Sequence, residues 1–280
     1  MLTAAQVEQF DREGCLLGPK VLTDDQVEVL REEVERVIRD QQNKNVAQPV
    51  RIANLGLPDS PVWQIVNIWE GSDPFRELLS NKEVVEAAMQ LSQAKQVRLW
   101  HDQIQYKPAG KGGINPWHQD WPYWANISPQ TEQVTAWIAL DEVDEDNGCM
   151  SMVPGSHKWG NAIEFVHTIK DFRKMPKLYK EHKLEARLAP VPKGAVHFHH
   201  GLTWHGSHEN SSGRPRRAIA LHFMTERTVY AQPDRKGHPM LQFFEVQPGE
   251  QLKGAHFPLL WDGEKVCKAP AVPKEAVAAK

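Results

Sequence analysis

From about residue 96 the chain changes its period, and that change limits its possible folds more than any other feature. Before it, apolar residues recur at helical spacing. After it, short runs rich in β-branched and aromatic residues alternate with turn clusters. The predicted strands are 97–107, 133–140, 149–153, 195–199 and 217–225, and turn clusters fall at 108–116, 144–148 and 209–215. Asn147-Gly148 is a strong hairpin signal, and Pro154-Gly155-Ser156 makes a second tight turn. The pattern predicts an all-β core, a sandwich or barrel, with helices packed outside it.

The helical part has clear start signals. Thr3 with Gln6 and Thr23 with Gln26 have capping-box spacing. After Thr23, the residues Val27, Leu30, Val34, Val37 and Ile38 form an apolar stripe between charges. Asn81 is placed to cap a further helix through Val84, Val85, Ala88 and Leu91. Residues 41–72 read as irregular connection with one strand. The charged stretch 161–190 has weak helical spacing and reads as surface helix or as an insertion over a site. The tail from Ala269, rich in Ala, Pro and Lys, is expected to fray. With no repeat and no linker, one domain over 1–280 is expected. It would comprise a helical part to about 95, a β core at about 96–225 and an extension over 226–280.

Several function classes are disfavoured. Apolar runs such as Ala136 to Leu140 are too short to cross a bilayer. The opening residues lack a basic stretch followed by an apolar run, so no signal peptide is expected. A net charge of -3 without a basic stripe gives no case for nucleic acid. Cys15, Cys149 and Cys267 are far apart and form no CxxC pair. That argues against a disulfide framework or thiolate zinc site and for a reducing, cytoplasmic setting. Oligomeric state cannot be read.

The chemistry concentrates in histidines. The chain has 13, and His197, His199, His200, His205 and His208 fall close together. Imidazole is the commonest protein ligand for transition metals. The sharpest local feature is Trp117-His118-Gln119-Asp120-Trp121. On a strand, His118 and Asp120 would project to one face as a nitrogen and a carboxylate ligand. His205, in Thr203-Trp204-His205-Gly206-Ser207, is placed to be the third. Two His and one carboxylate on one face of a metal leave positions open for a co-substrate and O2. His197 and His199 would share a strand face and are a competing pair. His205 is preferred because Gly206, Ser207 and its spacing to Arg216 accompany it. In the run from Arg216 to Phe223, Arg216, Ala218, Ala220 and His222 share one face. Arg217, Ile219, Leu221 and Phe223 share the other. An arginine above two alanines leaves room for a small anion, which the guanidinium grips through two parallel hydrogen bonds.

In this order, the pieces resemble the phytanoyl-CoA dioxygenase family of Fe(II)- and 2-oxoglutarate-dependent oxygenases. The matching residues are His118-Gln119-Asp120, Ala136 to Leu140 with Asp146-Asn147-Gly148, Val153 to His157, His205-Gly206-Ser207 with Asn210, and Arg216 to Ile219. Phe10-Asp11-Arg12-Glu13-Gly14 before Leu22-Thr23 is similar to the family's opening. The resemblance implies a mainly β fold with flanking helices, a double-stranded β-helix or distorted jelly roll. It implies iron on His118, Asp120 and His205, and Arg216, helped by Ser207, on the far carboxylate of 2-oxoglutarate. Trp137 and Gln103 fall at family positions lining the co-substrate pocket, and Arg51 is a looser match to a basic residue there. Asp120 disfavours halogenation, because the halogenating relatives carry a small residue in its place.

The expected activity is hydroxylation of an aliphatic C–H of a small organic molecule, with O2 and 2-oxoglutarate giving succinate and CO2. Ascorbate would keep the iron ferrous. Desaturation, epoxidation and rearrangement stay open as outcomes. Two other readings use the same residues: a zinc or manganese cupin-like isomerase or hydrolase, which has no need of Arg216, and a catalytically silent jelly-roll binding protein. Substrate specificity is expected from 41–72, 121–132, 161–190 and 226–262. Trp117, Trp121, Tyr123 and Trp124 would form an aromatic wall for substrate or pack within the sheet. Arg173, Lys174, Lys177, Lys180 and Lys183 would serve an acyl-CoA at the pocket mouth or form a solvated face. His222 would line the pocket or be a buried polar residue with a partner.

Overall fold

The computed structural model describes residues 1–110, 112–232 and 237–273. The chain opens with α1 (Ala4–Glu13), where Thr3 and Gln6 make the reciprocal bonds of a capping box. It stops at Gly14, whose φ of 69° is left-handed, and a Cβ there would strike the His157 ring. Next come β1 (Cys15–Lys20) and α2 (Asp24–Arg39), the latter capped by Thr23. Residues 41–72 hold two paired strands rather than the single one expected, β2 (Arg51–Asn54) and β3 (Trp63–Val66). Then follow α3 (Asp73–Leu78) and α4 (Lys82–Ser92), the latter capped by Asn81.

The β part runs through β4 (Val97–Lys107), β5 (Asn115–His118), β6 (Ile127–Ser128), β7 (Val134–Ala139) and β8 (Met150–Val153). The segment 161–190 is not a surface helix. It holds one short helical turn, α5 (Ile163–Val166), a small hairpin of β9 (Leu178–Tyr179) and β10 (His182–Lys183), and β11 (Arg187–Ala189). Last come β12 (Ala195–His200), β13 (Trp204–Ser207), β14 (Arg216–Thr225), β15 (Val229–Tyr230) and β16 (Leu259–Trp261). The tail predicted from Ala269 lies outside the described residues beyond Pro273.

Two antiparallel sheets form the core. The larger has strand order β1-β12-β7-β14-β4-β3-β2, with β16 also on β4. The smaller has order β11-β8-β13-β5. The turn at Asn147-Gly148 therefore does not close a hairpin: it carries the chain from β7 in one sheet to β8 in the other. Strand alternation sorts the larger sheet's side chains between two environments. Ile138, Ile219, Leu221 and Phe223 face outward into a core shared with Phe10, Val27, Leu30, Val34, Val84 and Ala88 of the helices. Trp137, Ala139, Ala218 and Ala220 face inward against Met150 and Met152 of the smaller sheet. The result is a jelly roll with helices on its outer face.

One ionic cluster joins helix to sheet. Arg217, pointing outward as predicted, makes a two-pronged contact with Asp141 at 3.0 Å on each arm, and Arg31 of α2 meets the same carboxylate at 2.8 Å.

Candidate metal centre

His118 and His205 are directly opposed partners across β5 and β13. Their rings lie 4.2 Å apart between centroids. Asp120 has left the strand: with φ -73° and ψ -48° it starts a 3₁₀ turn, so the same-face argument from strand alternation does not apply to it. That turn swings its carboxylate back over the two histidines. Asp120 Oδ1 lies 3.5 Å from His118 Nε2 and 3.5 Å from His205 Nε2. Ligand atoms from all three residues fall within 4.8 Å of one another, the one such group among the described residues.

The tautomers suit a metal. His118 Nδ1 bonds the Pro116 carbonyl at 2.8 Å and His205 Nδ1 bonds the Thr203 carbonyl at 2.9 Å. A carbonyl accepts only, so each Nδ1 carries its proton and each Nε2 lone pair points to the centre. Burial would raise the Asp120 carboxyl, but His205, His118 and His199 outweigh it and hold it well below the usual carboxylate range. Burial lowers His205 well below an ordinary imidazole, with His118 adding to the effect. His118 moves the other way, because its bond to Asp120 more than offsets burial. The two histidines sit equally close to Asp120 yet shift in opposite directions.

His199, the rival in the sequence, has a different place. Its Nε2 lies 3.2 Å from the other carboxylate oxygen, Asp120 Oδ2. Thr135 Oγ1 approaches that same oxygen at 3.4 Å and bonds His222 Nδ1 at 2.8 Å. These contacts hold Oδ2 away from the centre and present Oδ1 to it. Neither Thr135 nor this role of His199 was found from sequence, although Thr135 lies on the same inward face as Trp137. Burial pushes His222 down to about 4, which leaves it neutral. His197 is buried beside His199 and does not reach the carboxylate group.

Below the centre lies a cationic pocket end. Arg216 is fully buried. Its Nε and Nη2 donate to the Gly148 carbonyl at 3.2 and 3.0 Å, and Nη2 also donates to Ser207 Oγ at 3.2 Å. Its Nη1 has no partner among the described residues, and its Cζ lies 5.1 Å from the Trp137 ring. A buried guanidinium with an orphaned donor and no carboxylate fits an anion brought by a ligand. The donor set above it, two imidazoles and one carboxylate, fits ferrous iron.

Above the centre opens a cavity of about 830 Å³. His118, Asp120, His222 and Trp124 lie at its floor side, and the exposed Leu55 and Tyr123 belong to its rim. Gln103 lines it, bonded to Gln64 at 2.9 Å, and Arg51 lies on its wall. Gln105, which the sequence reading passed over, lines both this cavity and the small space between the metal-binding atoms and Ser207. Of the expected aromatic wall, Trp117, Tyr123 and Trp124 line the cavity; Trp121 instead bonds the Ile127 carbonyl. The proposed basic cluster does not reach the mouth. Arg173 pairs with Glu209, Lys174 with Asp171 and Lys183 with Glu185, while Lys180 lies over the Tyr179 ring.

Comparison with known proteins agrees with this geometry. The phytanoyl-CoA dioxygenase (PhyH) family matches residues 10–218. The peroxisomal phytanoyl-CoA dioxygenase of Mus musculus is 27% identical over 242 residues, covering 80% of this chain and 68% of that one. The ectoine dioxygenase of Streptomyces avermitilis is 29% identical over 163 residues, 56% of this chain and 52% of its own. Among solved structures, the non-heme alpha ketoglutarate dependent carbocyclase SnoK from nogalamycin biosynthesis superposes with a TM-score of 0.72 at 24% identity. It covers 92% of this chain and 96% of its own. EctD from S. alaskensis, solved with 2-oxoglutarate and 5-hydroxyectoine, gives 0.64 at 19%, with 83% and 79% covered. No helix among the described residues is long and apolar enough to cross a membrane.

Proposed function

The chain belongs to the phytanoyl-CoA dioxygenase family and is an iron- and 2-oxoglutarate-dependent oxygenase; on that premise we propose that it hydroxylates an aliphatic C–H of a small organic molecule held in the cavity above His118 and Asp120. The observation that carries the site assignment is the pairing of two features. A set of two histidines and one carboxylate stands beside a buried guanidinium that no carboxylate among the described residues answers. A zinc isomerase would need only the first of these.

In this reading His118, Asp120 and His205 hold the iron. Arg216 grips the far carboxylate of 2-oxoglutarate, with Ser207 beside it and Trp137 packed against the guanidinium. Ferrous iron with 2-oxoglutarate supplies an oxidising equivalent from O2 and leaves succinate and CO2. The protein's part is placement. His199 and Thr135 fix the Asp120 carboxylate so that one oxygen serves the metal. Ala218 and Ala220 keep the inner floor low enough for the co-substrate. His222, neutral and anchored through Thr135, stands between the inner space and the outer cavity and orients what enters.

Succinate release, measured with iron, ascorbate and 2-oxoglutarate against a panel of small organic substrates, tests the reading. Substrate-stimulated succinate with a product heavier by one oxygen is the expected result. Turnover of substrate that is independent of 2-oxoglutarate would overturn it.

A further inference from the structure

Arg216 is not the only cation buried at this end of the fold. Lys107, the last residue of β4, is also fully buried. It shares the inward face of β4 with Gln103 and Gln105. Its Nζ donates to Ser207 Oγ at 2.7 Å, to the Ser207 carbonyl at 3.3 Å and to the His208 carbonyl. Ser207 Oγ therefore accepts from two cations at once, Lys107 and Arg216. Its own proton goes to Asn115 Oδ1 at 3.3 Å. Neither cation pairs with a carboxylate among the described residues. Glu209, the nearest candidate by sequence to His208, turns outward to Arg173.

Two like charges meeting at one neutral hydroxyl in a dry site is a costly arrangement, and an anion bound beside them offsets that cost. The repulsion shows on Lys107, and Arg216 feels its burial. Burial, and then Arg216, push Lys107 well below an ordinary lysine. Burial takes Arg216 down to about 10. The arginine alone satisfies the geometry of a carboxylate. The lysine adds charge without adding a fork, so its contribution is selective for charge rather than for shape.

We propose that Lys107 is a specificity-determining residue: coupled to Arg216 through Ser207, it makes the pocket demand a negative charge at the far end of the 2-oxo acid. The proposal rests on the reading of Arg216 as the co-substrate anchor. A second unit charge within about 6 Å, at an effective dielectric near 20, is worth on the order of ten- to a hundredfold in affinity.

The test compares two ligands on the anaerobic Fe(II) protein, followed by the metal-to-ligand charge-transfer band. One is 2-oxoglutarate. The other is 2-oxopentanoate, the same chain with a methyl in place of the far carboxylate. Wild type should prefer 2-oxoglutarate strongly. Lys107→Met should cut that preference at least about tenfold while 2-oxopentanoate affinity stays within about twofold. Lys107→Gln, which keeps polar atoms near Ser207, serves if the methionine variant does not fold, and should show the same lost preference. A preference unchanged in these variants, or both ligands weakened equally, overturns the role of Lys107 while leaving Arg216 as the anchor. No band with 2-oxoglutarate in wild type overturns both readings together.

Discussion

At the scale of single residues, the Asp120 carboxylate divides its neighbours into two kinds. His118 and His205 face Oδ1, and His199 faces Oδ2. Replacing His205 with Ala should abolish tight Fe(II) binding. His199→Phe should weaken it by about 10–100-fold, as expected for a residue that orients a ligand. Metal titration of both proteins distinguishes them, and the reverse order of severity would move the metal to His199. The upward shift of His118 adds a pH signature. Ligands must be deprotonated to bind, and Asp120 holds His118 above an ordinary imidazole. Metal affinity should therefore rise about tenfold per pH unit until His118 has lost its proton, then level off. Chelator competition from about pH 5.5 to about pH 8 measures this, and a flat profile would contradict it. The three residues of the cluster were legible in the sequence, because HxD and a later His before Arg are sparse, ordered signals. Thr135 and Lys107 were not, because a threonine or lysine acquires its role only when another strand is set beside it.

At the scale of elements, the strands were read closely because their faces see different environments. Arg217 was placed opposite Arg216 by alternation alone, and it does point to α2. Of the two readings of 161–190, the surface helix fails because its charges pair locally and its apolar residues cover the back of the smaller sheet without any helical period, while the insertion over a site agrees with Val166, His167, Ile169 and Lys170 lining the cavity. The Asp141 cluster shows how α2 is fastened. Removing that carboxylate leaves Arg217, which is only 13% exposed, with Glu35 as its one ionic partner among the described residues, and leaves Arg31 with Glu28 and the Leu140 carbonyl. Asp141→Ala should destabilise the fold by about 2–4 kcal/mol. A denaturant double-mutant cycle with Arg31→Ala should give a coupling above about 0.5 kcal/mol. Additive losses would mean that the Asp141–Arg31 contact does not fasten α2.

At the scale of the whole molecule, the N-terminal part is a wall of the site rather than an appendage. β1 pairs with β12, the strand that carries His199, and the Gly14 carbonyl accepts from the Thr203 hydroxyl beside the ligand strand. Deleting residues 1–18 should expose β12 as an edge and remove Leu2, Phe10 and Leu16 from the core. At roughly 1.5–3 kcal/mol for each side chain, the melting temperature should fall by about 10–25 °C. Hydrogen exchange of the β12 amides should quicken at the same time; unchanged melting and exchange would show that the sheet stands without this wall. The rung that pairs His118 with His205 has a further consequence. The gap between these two residues is set by the distance between neighbouring strands, about 4.5–5.5 Å between Cβ atoms, and not by the length of chain that joins them. That joining chain includes Tyr123, Trp124 and Lys170 of the cavity wall. Its surface stretches, such as the loop carrying Tyr123 and Trp124 and the segment 161–190, can grow, shrink or be replaced over generations without changing that gap. A lineage built on this rung is thus free to change its diet while keeping its teeth.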